Sequence, residues 1–238
     1  MLRMLSALDV IVLCGGSGTR LRSVTGESPK AMASVSGRPF LEVLFRQLRR
    51  HGARRVILAV GYQREAIRTH FGPRSTGLDL EYAVEASPLG TGGALRNAAG
   101  LVEANDALIM NGDSYTDADL GGFLANYRES GADASVLVVP ADGRSDCGSV
   151  GVDANGRLTD FREKSGEQRY VNAGVYLARA SLLREIPEGR QVSLENELFP
   201  RWVSEGKDIR AFVWAGSCVD IGTPERYQDA QNLLAGVE

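Results

Sequence analysis

At 238 residues, 43% of them apolar, the chain is long enough for one α/β domain with a sizeable core. Its 27 basic and 30 acidic residues leave a net charge of −3, which excludes a broad basic footprint for nucleic acid. Three scattered cysteines, Cys14, Cys147 and Cys218, fit neither a disulfide framework nor a metal-ligand spacing and suit a reducing cytoplasm.

Arg3, Leu5, Leu8 and the run over 10–13 faintly imitate a signal peptide, but Asp9 interrupts them and a glycine loop follows instead of a small-residue cleavage site. No run approaches the ~20 apolar residues of a membrane helix. The β-branched stretch 10–13 reads as a buried strand. It enters Leu13-Cys14-Gly15-Gly16-Ser17-Gly18-Thr19-Arg20-Leu21-Arg22 and then Ser28-Pro29-Lys30-Ala31-Met32. Glycines at 15, 16 and 18 allow positive φ and close approach of backbone N–H groups to an anion, and Arg20 and Lys30 place mobile positive charge nearby. A solvated Gly-rich turn is the plainer alternative. A P-loop fails because no Gly-Lys pair follows; a dinucleotide fingerprint fails because Leu21 stands where a third glycine belongs; a nucleophile elbow fails at Thr19.

Farther on, Leu41, Leu44, Phe45 and Leu48 follow Pro39 at helical spacing and Gly52 offers a stop. Residues 55–60 read as a strand, 63–71 as a helix and 80–84 as a strand, a rhythm that predicts a mixed, mostly parallel sheet flanked by helices in a Rossmann-like α/β domain. Such sheets bind ligands beyond the carboxyl ends of their strands. Glu85-Ala86-Ser87-Pro88-Leu89-Gly90-Thr91-Gly92-Gly93-Ala94 follows one such end and reads as a loop. The strand at 107–110 leads to Asn111-Gly112-Asp113, and because the next helix starts near Asp119, Asp113 is badly placed to be a helix cap. A strand over 134–140 and β-like runs at 148–152, 158–163 and 170–178 come next. Cys218-Val219-Asp220-Ile221-Gly222-Thr223-Pro224 then introduces a helix with Tyr227, Ala230, Leu233 and Leu234.

Gly-Gly-x-Gly-Thr-Arg-Leu-Arg with Pro-Lys-x-Met resembles the signature of the sugar-1-phosphate nucleotidylyltransferases. The continuation Ser34-Val35-Ser36-Gly37-Arg38-Pro39-Phe40-Leu41-Glu42 is similar to the D-glycero-α-D-manno-heptose 1-phosphate guanylyltransferases within that family. The likeness runs from about residue 9 to residue 234. It implies one nucleotidyltransferase domain over 1–238, with nucleotide bound by about 9–113 and sugar phosphate by about 114–234, and no C-terminal β-helix.

The resemblance also implies roles. Arg20 and Lys30 would be catalytic. Leu13 to Thr19, including Ser17, with Glu85, Pro88, Leu89, Gly90, Thr91 and Gly112, would bind the nucleotide, Glu85 reading the base edge. Gly148, Glu163, Lys164, Asn172, Ala173 and Gly174 would contact the sugar phosphate, although an exposed Glu-Lys pair is ordinarily a solvated edge. Asp113 and Asp220 would bind Mg²⁺. Cys14, Ala31 and Asn111 depart from the usual family residues, and Ala31 leaves the Lys30 loop with one proline fewer.

The implied partners are GTP and a sugar 1-phosphate, with no nucleic acid and no membrane; a homodimer is compatible with the sequence and not fixed by it. Guanine is expected because a carboxylate only accepts hydrogen bonds, and guanine alone of the common bases offers adjacent N1–H and N2–H₂ donors. A uridylyl- or thymidylyltransferase, a mannose-1-phosphate guanylyltransferase, a non-catalytic nucleotide-sensing subunit and, more remotely, a nicotinamide oxidoreductase are the rival readings.

Overall fold

The computed structural model describes residues 4–16, 18–141, 148–163 and 169–236. Strands β1 (Asp9–Leu13), β2 (Arg55–Val60), β3 (Leu78–Val84) and β4 (Asp106–Asn111) lie in the parallel order β4-β1-β2-β3. Helices α1 (Phe40–Arg50), α2 (Arg64–Phe71) and α3 (Gly90–Ala98) make the crossovers. β1, β2 and β4 are buried on both faces and are written as apolar runs, whereas β3, nearer the edge of the sheet, alternates, with Asp79 exposed between the buried Leu78 and Leu80. Val10 and Val12 enter one core cluster and Ile11 the other, on opposite sides of the sheet.

The second half joins the same sheet through one long strand of opposite sense. Strand β5 (Ser114–Thr116) follows β4, helix α4 (Leu120–Ser130) is capped by Asp119, whose Oδ1 accepts from Gly121 N, and β6 (Ala134–Pro140) follows. Strands β7 (Gly148–Val152), β8 (Leu158–Glu163) and β9 (Tyr170–Arg179) pair antiparallel, and β9 runs antiparallel to β4, joining the two halves, among the described residues, into one ten-stranded sheet that ends beyond β3 in the short strand Arg74–Ser75. The predicted α/β class thus holds, a mixed sheet that is parallel across β4-β1-β2-β3.

Segment 180–216 carries structure that periodicity did not reveal. It forms α5 (Ala180–Arg184), a π-helical turn (Leu194–Leu198), α6 (Phe199–Ser204) and β10 (Ile209–Val213), which pairs parallel with β6. Phe199 and Trp202 from this segment stack into the second core cluster, the Phe161 and Phe199 rings lying 5.0 Å apart. The last strand, β11 (Cys218–Asp220), forms a two-stranded ribbon with β5 and precedes α7 (Pro224–Leu233).

One expectation needs correction. The glycine-rich stretch after Pro88 is not loop throughout, because Gly90 opens α3. Its glycines answer to packing: Gly92 N donates to Val192 O at 2.8 Å, and Val192 N donates to Leu89 O at 2.9 Å. A Cβ on Gly93 would lie 2.5 Å from Arg190 O, and one on Gly90, at φ +70°, 2.6 Å from Val192 O. Backbone cannot yield as a flexible side chain can. Gly93→Ala is therefore expected to destabilise the protein by ~1–3 kcal/mol, the usual cost of overpacking, seen as a lower Tm; an unchanged melting curve would show that 190–192 does not seat on α3 as described.

Candidate active site

Two cavities open beyond the carboxyl ends of β1 and β4. The smaller, 640 Å³, is lined by Leu13, Cys14, Gly15 and Gly16 on one side and Glu85, Pro88, Gly90 and Thr91 on the other. The larger, 1200 Å³, lies towards β9 and α7 and holds Arg20, Asp220 and the stretch Asn172, Ala173, Gly174, with Gly148 at its wall. Lys30, Thr91, Asn111 and Asp113 line both, so they stand at the junction.

The glycine loop works differently from its simplest reading. Of Gly15, Gly16 and Gly18, only Gly18 has positive φ, +58°, and its Cα faces the Lys30 stem, where a Cβ would come within 3.0 Å of Lys30 Cβ. Gly15 is needed for proximity: a Cβ there would lie 2.8 Å from Glu85 Oε1. Ser17 lies outside the described residues. Thr19 and Arg20 form an exposed 3₁₀ turn, and Arg20 reaches the larger cavity. Gly112 is another close approach, its Cα facing Leu13 O where a Cβ would fall 2.7 Å away. Cys14 donates its thiol to Val12 O at 3.4 Å, and burial, with Asp113 adding to it, pushes the thiol pKa far up, so it acts as a small inert wall residue.

Glu85 is 7% exposed, wedged between Gly15 and Gly61. Burial raises its carboxyl pKa, and the Leu89 N–H, 3.1 Å from Oε2, pulls it back down. Oε1 faces the same glycine wall. Leu89 meets the site through this N–H, which holds the Glu85 carboxylate in place.

At the junction, Lys30 makes an ion pair with Asp113 Oδ2, its side chain 16% exposed. Asp113 and Asp220 are neighbours because β5 and β11 pair in register, Asp220 opposite Ser114, with Ile221 N donating to Asp113 O at 3.0 Å. Asp220 accepts from Gly222 N at 2.6 Å and from Arg226 Nη1 at 2.5 Å. Burial raises the Asp220 pKa, Arg226 opposes the rise and Asp113 adds to it. Among the described residues no group of three or more His, Cys, Asp or Glu forms a metal cage. A pair of facing carboxylates is nevertheless the donor set that a hard cation uses when waters and substrate phosphates complete its shell, so Asp113 and Asp220 fit Mg²⁺.

In the larger cavity Asn172 is engaged at both ends, Oδ1 accepting from Gly174 N at 2.9 Å and Nδ2 donating to Tyr176 OH at 2.6 Å. Gly174, at φ +73°, packs against Asn111. Lys164 and the side chain of Glu163 lie outside the described residues. Two residues escaped the sequence reading. Glu195, on the π-helical turn, accepts from Thr91 Oγ1 at 2.6 Å and lines the larger cavity; a π turn has no sequence signature by which to find it. Arg226 was findable, because Thr223-Pro224 starts α7 and a first-turn side chain leans back towards the N-terminus, where Asp220 lies. The histidines, His51 at the end of α1 and His70 within α2, line neither cavity.

Over residues 9–236 the sequence matches the nucleotidyl transferase family. It is 36% identical over 235 residues to the mannose-1-phosphate guanylyltransferase of Mycobacterium tuberculosis, which covers 97% of this chain and 66% of that protein. It is 33% identical over 228 residues to the D-glycero-alpha-D-manno-heptose 1-phosphate guanylyltransferase of Aneurinibacillus thermoaerophilus, covering 95% of this chain and 98% of the relative. Among solved structures, HddC from Yersinia pseudotuberculosis complexed with GMP-PN superposes with a TM-score of 0.84 at 32% identity, over 95% of this chain and 99% of that one. With the family model matched over nearly the whole chain, the glycine loop lining one cavity, Asp220 the other, and Lys30 and Asp113 both, the chain belongs to the nucleotidyl transferase family.

Proposed function

We propose that the chain transfers a guanylyl group from GTP to D-glycero-α-D-manno-heptose 1-phosphate in the cytoplasm, releasing pyrophosphate and forming a GDP-heptose for surface polysaccharide. The observation that carries this reading is the position of Lys30 and Asp113 where the two cavities meet, with Glu85 in the smaller cavity and Asn172 in the larger. In this reading residues before Asp113 hold the nucleotide and those after it the sugar phosphate. Among the described residues no helix is long and apolar enough to cross a membrane.

The chemistry needs no protein base. A sugar 1-phosphate, with a second pKa near ~6, already carries a nucleophilic oxyanion at neutral pH. That oxygen bonds to the α-phosphorus while the bond from the α-phosphorus to the bridging oxygen of pyrophosphate breaks, and the electron pair leaves with pyrophosphate. The protein's share is alignment and charge neutralisation. Lys30 leaves Asp113 for the α-phosphate and Arg20 meets the departing pyrophosphate. Mg²⁺ held by Asp113 and Asp220 would supply Lewis-acid neutralisation of phosphate charge.

Lys30→Ala is expected to lower kcat by at least roughly 10- to 150-fold, the worth of one charge-assisted hydrogen bond at ~1.5–3 kcal/mol, with a smaller effect on GTP binding. Unchanged turnover would remove Lys30 from the mechanism. Asp113→Asn and Asp220→Asn should each raise the Mg²⁺ concentration giving half-maximal rate, because an amide is a neutral ligand where the cation prefers anionic oxygen; wild-type Mg²⁺ dependence in both would place the metal elsewhere.

Glu85 gives a pH-dependent test. Only its ionised form accepts both guanine donors, and burial raises its pKa. KM for GTP should therefore climb as pH falls, beginning at a higher pH than an ordinary carboxylate would dictate, whereas Glu85→Gln should give a raised and pH-flat KM. A preference for UTP or dTTP in side-by-side pyrophosphate-release assays would overturn the base assignment.

Mannose 1-phosphate is the second reading, favoured by the 36% identity to the Mycobacterium tuberculosis enzyme. Heptose is preferred because the heptose-specific relative matches over 98% of its own length. The two sugars differ by a hydroxymethyl extension, which a pocket built to hydrogen-bond the extra hydroxyl can discriminate strongly. An equal or higher kcat/KM for mannose 1-phosphate would transfer the assignment to that sugar.

A further inference from the structure

The mechanism above leaves Arg226 unused, although its guanidinium stands in the larger cavity, 2.5 Å from Asp220 Oδ2 and 23% exposed. Lys30 is placed in the same way on the neighbouring carboxylate, Asp113. Two side-chain cations thus occupy the two carboxylates that fit a divalent ion, and the ribbon of β5 and β11 holds the pairs side by side. A cation entering between Asp113 and Asp220 must displace both. Lys30 lines both cavities and can turn to the nucleotide; Arg226 lines only the larger one, where Asn172 and Gly174 form the far wall.

We propose that Arg226 is a second phosphate-binding residue, parked on Asp220 until a divalent cation claims that carboxylate and then binding the phosphate of the sugar 1-phosphate. This rests on the reading in which Asp113 and Asp220 hold the metal. A guanidinium suits this role because its planar fork matches two phosphate oxygens and it stays charged at every working pH. The exchange also serves charge balance. While parked, Lys30 and Arg226 are neutralised by aspartates; once the divalent ion takes the aspartates, both become available to the incoming phosphates. Metal and sugar phosphate therefore bind with mutual support through the same side chain.

The consequence is a pair of effects with opposite signs. Arg226→Gln removes the competitor for Asp220 and keeps a good helix former in α7, so Mn²⁺ titrated into the protein without nucleotide, followed by electron paramagnetic resonance, should bind about threefold to tenfold more tightly, the range between an exposed ion pair and a charge-assisted one. The same variant should raise KM for α-D-mannose 1-phosphate, used as the probe, by about tenfold or more, with KM for GTP changed far less. Arg226→Lys should recover part of the loss, because it restores charge without the fork. A merely structural role would weaken both affinities together. Mn²⁺ binding that is unchanged or weaker in a folded Arg226→Gln protein overturns the proposal, as does an unchanged KM for the sugar phosphate. Asp220→Asn serves as the separate control: if it leaves Mn²⁺ binding at the wild-type level, the metal reading itself falls and the proposal falls with it.

Discussion

The Lys30–Asp113 ion pair is the interaction on which the site depends. Lys30 belongs to a 3₁₀ turn near the N-terminus and Asp113 to the connection after β4, 83 residues later. Neither element carries much structure of its own, and the pair fixes them against each other at the mouth of the parallel sheet. Its surroundings are arranged to permit it: Gly18 leaves room for the Lys30 stem, and the ribbon of β5 with β11 brings Asp220 alongside. The pair is partly buried and therefore firmer than a surface bridge, yet a stronger anion or cation can divide it. That divisibility is what a charge-neutralising mechanism needs.

Close backbone approach is the second theme. Gly15, Gly90, Gly93 and Gly112 each stand where a Cβ would collide with backbone or with Glu85. The result is a smaller cavity whose lining draws on distant segments, among them 13–16, 85–88, 90–91 and Gln191. Thr91 ties this lining to the larger cavity, donating to Glu195 and accepting from Leu194 N at 2.8 Å. The two halves of the chain are thus fastened to each other by hydrogen bonds as well as by the shared sheet.

Strands at 55–60 and 134–140 were legible because burial on both faces writes them as unbroken apolar runs. Helix α4 was legible from its apolar stripe, and Asp119 caps it. Helix α3 was hidden because Gly-Thr-Gly-Gly has poor helix propensity, and packing against 190–192 overrides that propensity. The π turn and β10 are short and lack a period of their own, so Glu195 stayed invisible until the chain closed over it. Arg20 and Lys30 were named in the sequence as cations beside a glycine loop and Asp113 and Asp220 by resemblance to a motif, whereas the approach of Asp220 to Asp113 depends on pairing between β5 and β11 that no local pattern announces.

The central claim is that one junction holds the metal, the α-phosphate and the transferring oxygen. A crystal structure with Mn²⁺ and a non-hydrolysable GTP analogue, using the anomalous signal of manganese, tests it most directly. The account predicts a manganese peak between Asp113 and Asp220, Lys30 Nζ moved from Asp113 to the α-phosphate, and the base edge against Glu85. A bound nucleotide with manganese elsewhere and the Lys30–Asp113 pair intact would contradict it.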